Sequence, residues 1–102
     1  MTIYEMKANI QNGIAWLEEN RPGWRPKVKA KIDNGRFNMM FPCDCILGAI
    51  DGNYHNALNL LRMNGVPIDV IRHGFALPFT EVEQIADIEY ARLTQLWIEA
   101  VK

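Results

Sequence analysis

Lys27-Val28-Lys29-Ala30-Lys31-Ile32-Asp33-Asn34-Gly35-Arg36-Phe37-Asn38-Met39-Met40-Phe41 is the stretch whose reading decides the fold. Val28, Ala30 and Ile32 alternate with Lys27, Lys29 and Lys31, the period of a strand with one buried face. Asn34-Gly35 is the pair that best fits a two-residue type I′ turn, with both residues at positive φ. The stretch therefore predicts a two-stranded β-hairpin. With Asp33 opposite Arg36, Ile32 faces Phe37, Ala30 faces Met39 and Val28 faces Phe41, all on one apolar side. Lys31–Asn38 and Lys29–Met40 fall on the other. A slip of one residue would turn the apolar set to water, so the register is strongly specified. An isolated hairpin is marginal, and helices on either side must cover its apolar face.

Outward from this stretch, the chain reads as one domain over residues 1–102. Hydrophobic residues make up 49% and charged residues 23%, the balance of an ordinary folded domain rather than a disordered or membrane protein. No apolar run approaches the ~18 residues of a membrane span. Glu5 and Lys7 break the layout of a signal peptide, so the expected compartment is the cytosol. Cys43 and Cys45 stand one residue apart, too close for an unstrained disulfide, and read as free thiols.

Before the hairpin, Thr2-Ile3-Tyr4-Glu5 is a capping box. Ile3, Met6, Ile10, Gly13 or Ile14, and Leu17 then follow at helical spacing. Gly13 in mid-helix costs about 1 kcal/mol against Ala, acceptable where another element packs close. Arg21-Pro22-Gly23 ends this helix, and Trp24 to Pro26 form a stiff linker into the hairpin. After it, Pro42 to Gly52 predicts a short helix with Asp44 as N-cap and Gly52 beyond its end. Asn53 caps a second helix bearing Tyr54, Ala57, Leu58 and Leu61, with Arg62 in its last turn and Asn64-Gly65 closing it. One kinked helix is the alternative. Pro67 to Gly74 predicts another short helix. Thr80-Glu81-Val82-Glu83 is a second capping box, opening a long C-terminal helix to about Val101. Its stripe is Val82, Ile85 or Ala86, Tyr90, Leu93, Leu96 or Trp97, and Ala100. The fold class expected is thus α+β: an N-terminal helix, a hairpin, short central helices and a long C-terminal helix.

Charge is unevenly spread. Arg21, Arg25, Lys27, Lys29, Lys31 and Arg36 cluster around the hairpin, whereas Glu81, Glu83, Asp87 and Glu89 make the last third acidic. On a strand, Lys27, Lys29 and Lys31 would leave one face together, joined by Arg36 and led in by Trp24 and Arg25. Ammonium and guanidinium groups beside an indole suit a phosphate and a stacked base. The plainer alternative is a solvated face that discourages edge pairing. Nucleic acid is disfavoured as a partner, because the overall pI is near 6.1. Trp16 lies off the first helix's stripe. It packs on the linker or contributes to an exposed patch for a partner or for self-association.

No phosphate loop, dinucleotide fingerprint, nucleophile elbow or zinc-protease motif occurs. Cys43, Cys45, His55 and His73 have the residue types of a Cys–His dyad or a zinc site. Their C-x-C start departs from the usual C-x₂-C, and buried cysteine ordinarily serves as a small hydrophobe. The reading is no enzyme, no metal and no cofactor.

Trp16-Leu17-Glu18-Glu19-Asn20-Arg21-Pro22-Gly23-Trp24 is followed by Cys45-Ile46-Leu47-Gly48, by Gly74-Phe75 and by Tyr90-Ala91-Arg92-Leu93-Thr94-Gln95-Leu96-Trp97. This order resembles a group of small accessory proteins of actinobacterial phages and their hosts. The group offers no activity or site residue to transfer. The resemblance implies a non-enzymatic accessory protein that binds a host protein, in host takeover or counter-defence. The alternative is an oligomer that sequesters a small anionic ligand such as a nucleotide. For either, the binding residues expected are Trp16, Trp24, Arg25, Lys27, Lys29, Lys31 and Arg36.

Overall fold

The computed structural model describes residues 1–63 and 69–102, with side chains up to residue 59 and from residue 69 onward. Among the described residues five helices follow one another: α1 (Ile3–Asn20), α2 (Trp24–Asp33), α3 (Ile46–Asp51), α4 (Tyr54–Met63) and α5 (Glu83–Val101). Among the described residues there is no strand, so the α+β class and its β-hairpin are corrected to a helical fold. The expectations for the side chains of Leu61 and Arg62, and for Asn64, Gly65 and Pro67, lie outside the described residues.

The correction turns on two ambiguities. Trp24, Val28 and Ile32 recur every fourth residue, which is helical spacing as much as Val28-Ala30-Ile32 is strand spacing. Trp24 and Val28 are buried, Ile32 is half-buried, and Ala30 faces solvent instead of Met39. Asn34-Gly35 is not a type I′ turn. Asn34 stays right-handed at φ −80° and Gly35 alone turns left-handed at φ 69°. The Gly35 N–H donates to the Ile32 carbonyl (3.0 Å) and the Arg36 N–H to the Lys31 carbonyl (3.0 Å). That pair of bonds is the Schellman end of a helix, which also favours glycine. Arg25, Lys27, Lys29, Ala30 and Lys31 are strong helix formers, and Pro26 stands in the first turn, where its missing N–H costs nothing. Residues 38–45 have no strand to pair with. They fold into turns, with the Asn38 N–H on the Asp44 carbonyl at 2.9 Å.

Elsewhere some local signals hold and others do not. The Thr2 hydroxyl accepts the Glu5 N–H (3.1 Å) and the Glu5 carboxylate accepts the Thr2 N–H (3.4 Å), completing the first capping box. Met6, Ile10, Gly13 and Leu17 are the buried face of α1. The N-cap of α3 is Cys45, not Asp44: its Sγ accepts the Gly48 N–H at 3.3 Å. Asn53 caps α4 through its Oδ1, which accepts the His55 N–H at 2.8 Å, so α3 and α4 are two helices. Asp69 to Gly74 make a single helical turn, ended by Gly74 at φ 71°.

The core runs from the α1–α5 contact through α2 to α3, whose Ile46, Leu47 and Ile50 are buried. Trp97 is fully buried, stacks on Phe75 at 6.0 Å and donates its indole N–H to the Gly74 carbonyl at 2.7 Å. Leu93 and Val101 complete the buried side of α5, and Trp24 and Val28 meet it from α2. This arrangement consumes only the second half of α5.

Candidate functional site

The second capping box does not form. α5 starts at Glu83, with Val82 as an N-cap that makes no side-chain bond. Its first fully buried residue is Leu93, so nearly three turns of helix precede it. Of the alternatives offered by the stripe, Ala86 and Trp97 face inward, while Val82 and Ile85 are each 47% exposed. Ile88 is 60% exposed and Phe79 90% exposed. Val82, Ile85 and Ile88 follow at three-residue spacing, which places them along one flank of the helix.

Phe79 stands beside a cavity of about 310 Å³ whose lining includes Leu77, Pro78, Ala86, Glu89 and Tyr90. The extended segment bearing Phe79 is tied to α5 because the Tyr90 hydroxyl accepts the Leu77 N–H at 3.2 Å. Tyr90 also lines a second cavity of about 200 Å³, shared with Met40, Phe41, Cys45, Tyr54 and His55. Burial pushes the Cys45 thiol above its ordinary range, and the same cause raises Tyr54. A thiol held protonated, accepting the Gly48 N–H and set 3.7 Å from the Pro42 carbonyl, is placed to cap a helix rather than to attack. His73 has its Nδ1 2.7 Å from the Asp69 carbonyl oxygen and its ring stacked on Phe75. Among the described residues, no group of three or more His, Cys, Asp and Glu comes together to hold a metal ion.

The seven residues expected to bind a ligand or partner do not share a face. As helical residues, Lys27 and Lys31 lie one turn apart while Lys29 points elsewhere, which removes the common face a strand would have provided. Lys31 pairs with Asp44 at 2.9 Å, and the Lys27 ammonium donates to the Ile50 carbonyl at 3.5 Å, at the C-terminal end of α3. Arg21, part of the same basic cluster, reaches Asp51 at 3.3 Å. These cations fasten α1 and α2 to the α3 segment. Arg25 lies 4.7 Å from the Trp24 ring centre, pairs with Glu18 at 3.6 Å and donates to the Val101 carbonyl at 3.1 Å. Trp24 is 1% exposed and belongs to the core. Trp16 is half-buried against Phe75 and His73, with Arg21 over its ring. Lys29 and Arg36 are exposed.

Sequence reasoning missed Phe79 and Ile88, assigned Val82 to the core and left Ile85 or Ala86 open there. The signal was there: Ile85 and Ile88 fall off the line Ala86-Tyr90-Leu93-Trp97 that the core requires. Asp44 and Asp51 were likewise visible as counter-charges for the basic cluster. Set against known proteins, the chain matches no family model, no curated protein and no solved structure. Among the described residues, no helix is long and apolar enough to cross a membrane.

Proposed function

We propose that the chain is a non-enzymatic protein-binding module whose docking face is the flank from Phe79 to Ile88. One observation carries the reading: four large apolar side chains, Phe79, Val82, Ile85 and Ile88, lie 47–90% exposed on a helix start and its anchored lead-in. Scattered exposed apolar residues are normal, but a run of them beside a cavity marks an interaction surface. The resemblance to phage-borne accessory proteins makes a host protein the partner to seek, with interference in a host function as the purpose. Sequestration of a small anion is the weaker reading, because Arg21, Arg25, Lys27 and Lys31 are already engaged within the fold.

The test is affinity capture from host lysate with three chains: wild type, Phe79→Ser/Ile88→Ser, and Lys29→Glu. Circular dichroism verifies that each is folded. A host protein retained by wild type and Lys29→Glu, and lost from the double variant, is the expected result. Retention that survives the double variant and fails with Lys29→Glu would move the docking face to α2.

A further inference from the structure

The charge around the flank specifies its partner, given the docking reading above. From Glu81 to Ala91 the chain carries four carboxylates and no lysine or arginine. Glu83 stands in the first turn of α5, where negative charge favours the helix dipole. Asp87 and Glu89 lie beyond that turn and gain little from it. Glu89 lines the cavity beside Phe79. Among the described residues none of the four carboxylates forms an ion pair, whereas Asp44 and Asp51 both do. An apolar flank thus carries a rim of one sign, the arrangement that selects a partner of the other.

We infer that this face takes a cationic apolar segment of a partner protein. A large apolar side chain seats in the cavity between Pro78 and Ala86, and neighbouring lysines or arginines meet Glu81 and Glu89, the latter on the cavity wall. A cavity of about 310 Å³ has room for a Leu or Phe side chain, since about 150 Å³ already holds benzene. A second copy of the chain fits less well. Two-fold pairing of this face would bring both sets of carboxylates together, with Arg92 as the nearest cation in sequence. An anionic membrane surface is repelled for the same reason.

The experiment measures fluorescence anisotropy of three labelled peptides with the full chain, beside sedimentation velocity of the chain alone. One peptide has a Leu-Phe-Leu core flanked by lysines, one the same core flanked by glutamates, and one is oligolysine. The lysine-flanked peptide should bind, and weaken by about tenfold between low and physiological salt. Phe79→Ala and Glu89→Lys should each weaken it by about tenfold. The other two peptides should stay silent and the chain should sediment as a monomer. Equal binding of the glutamate-flanked peptide, equal binding of oligolysine, or a dimer lost in Phe79→Ala would each overturn the cationic occupant. So would silence from all three peptides. In every one of those cases the lysate capture above still decides whether the face docks a protein. Binding of the lysine-flanked peptide that ignores Phe79→Ala would overturn the face itself.

Discussion

The carbonyl oxygen of His73 occupies the space that a Cβ on Gly13 would need, so the turn ending at Gly74 lies directly across α1. In an isolated helix, Gly→Ala stabilises by about 1 kcal/mol. Here the obstacle is backbone and cannot swing aside. Gly13→Ala should therefore destabilise the protein by about 1–3 kcal/mol in urea unfolding. A stabilised Gly13→Ala would show that the turn does not rest on α1.

The two buried tryptophans should respond differently to loss of the indole nitrogen. Trp97 donates to the Gly74 carbonyl, whereas the Trp24 Nε1 has no partner among the described residues. Trp97→Phe leaves a buried carbonyl unsatisfied, and Trp24→Phe removes a donor that was already unsatisfied. Both lose similar ring volume, so Trp97→Phe should cost about 1–3 kcal/mol more than Trp24→Phe in chemical denaturation. The reverse order would contradict the assignment.

Several helix ends and caps were legible in the sequence because each depends on a few neighbouring residues, whereas Asp44, the Thr80–Glu83 box and the Asn34-Gly35 helix end were misread. Thr2 with Glu5, Asn53 before α4, and Gly23, Gly52 and Gly74 at turns all stand where their chemistry places them. The hairpin was not legible correctly, because alternating Lys and small apolar residues satisfy both periods and Asn-Gly ends a helix as readily as it closes a strand pair. Only tertiary packing decides between them: Trp24 and Val28 fit one groove against α5, and nothing pairs with residues 37–41 as a strand. The candidate site was hidden for a related reason. Periodicity identifies an apolar stripe on α5 but not the point, at Leu93, where neighbours to bury it begin.

Lys31 and Asp44 supply a test of what the basic cluster does. Their 2.9 Å pair is partly exposed, with side chains 27% and 30% accessible, so solvent screening keeps its contribution modest. A double-mutant cycle with Lys31→Ala and Asp44→Ala should return a coupling of about 0.5–1 kcal/mol. Lys29→Ala should change stability by less than about 0.5 kcal/mol. Zero coupling in the cycle would mean that Lys31 does not fasten α2 to the α3 segment.

Cys45 makes stability depend on alkaline pH. Burial raises its thiol in the folded chain, so the folded state holds the proton more tightly than the unfolded one. The contribution is complete below the unfolded thiol's range, near pH 8.5, and is lost as pH climbs through the higher folded value. Thermal midpoints should fall between pH 8 and higher pH in wild type, and fall less in Cys45→Ala. Cys43, which is exposed, should react with a thiol reagent in the folded chain while Cys45 reacts on unfolding. Equal labelling of both in the native protein would contradict this.

The most direct test of the account is hydrogen–deuterium exchange of the chain alone and bound to the protein it retains. The turns of α5 before Leu93 hold no fully buried side chain, and their amides should exchange readily in the free chain. Binding should slow exchange from 83 to 90 and leave 27–36 unchanged. Protection confined to 27–36, with 83–90 unaffected, would contradict the assignment of the Phe79–Ile88 flank as the docking face.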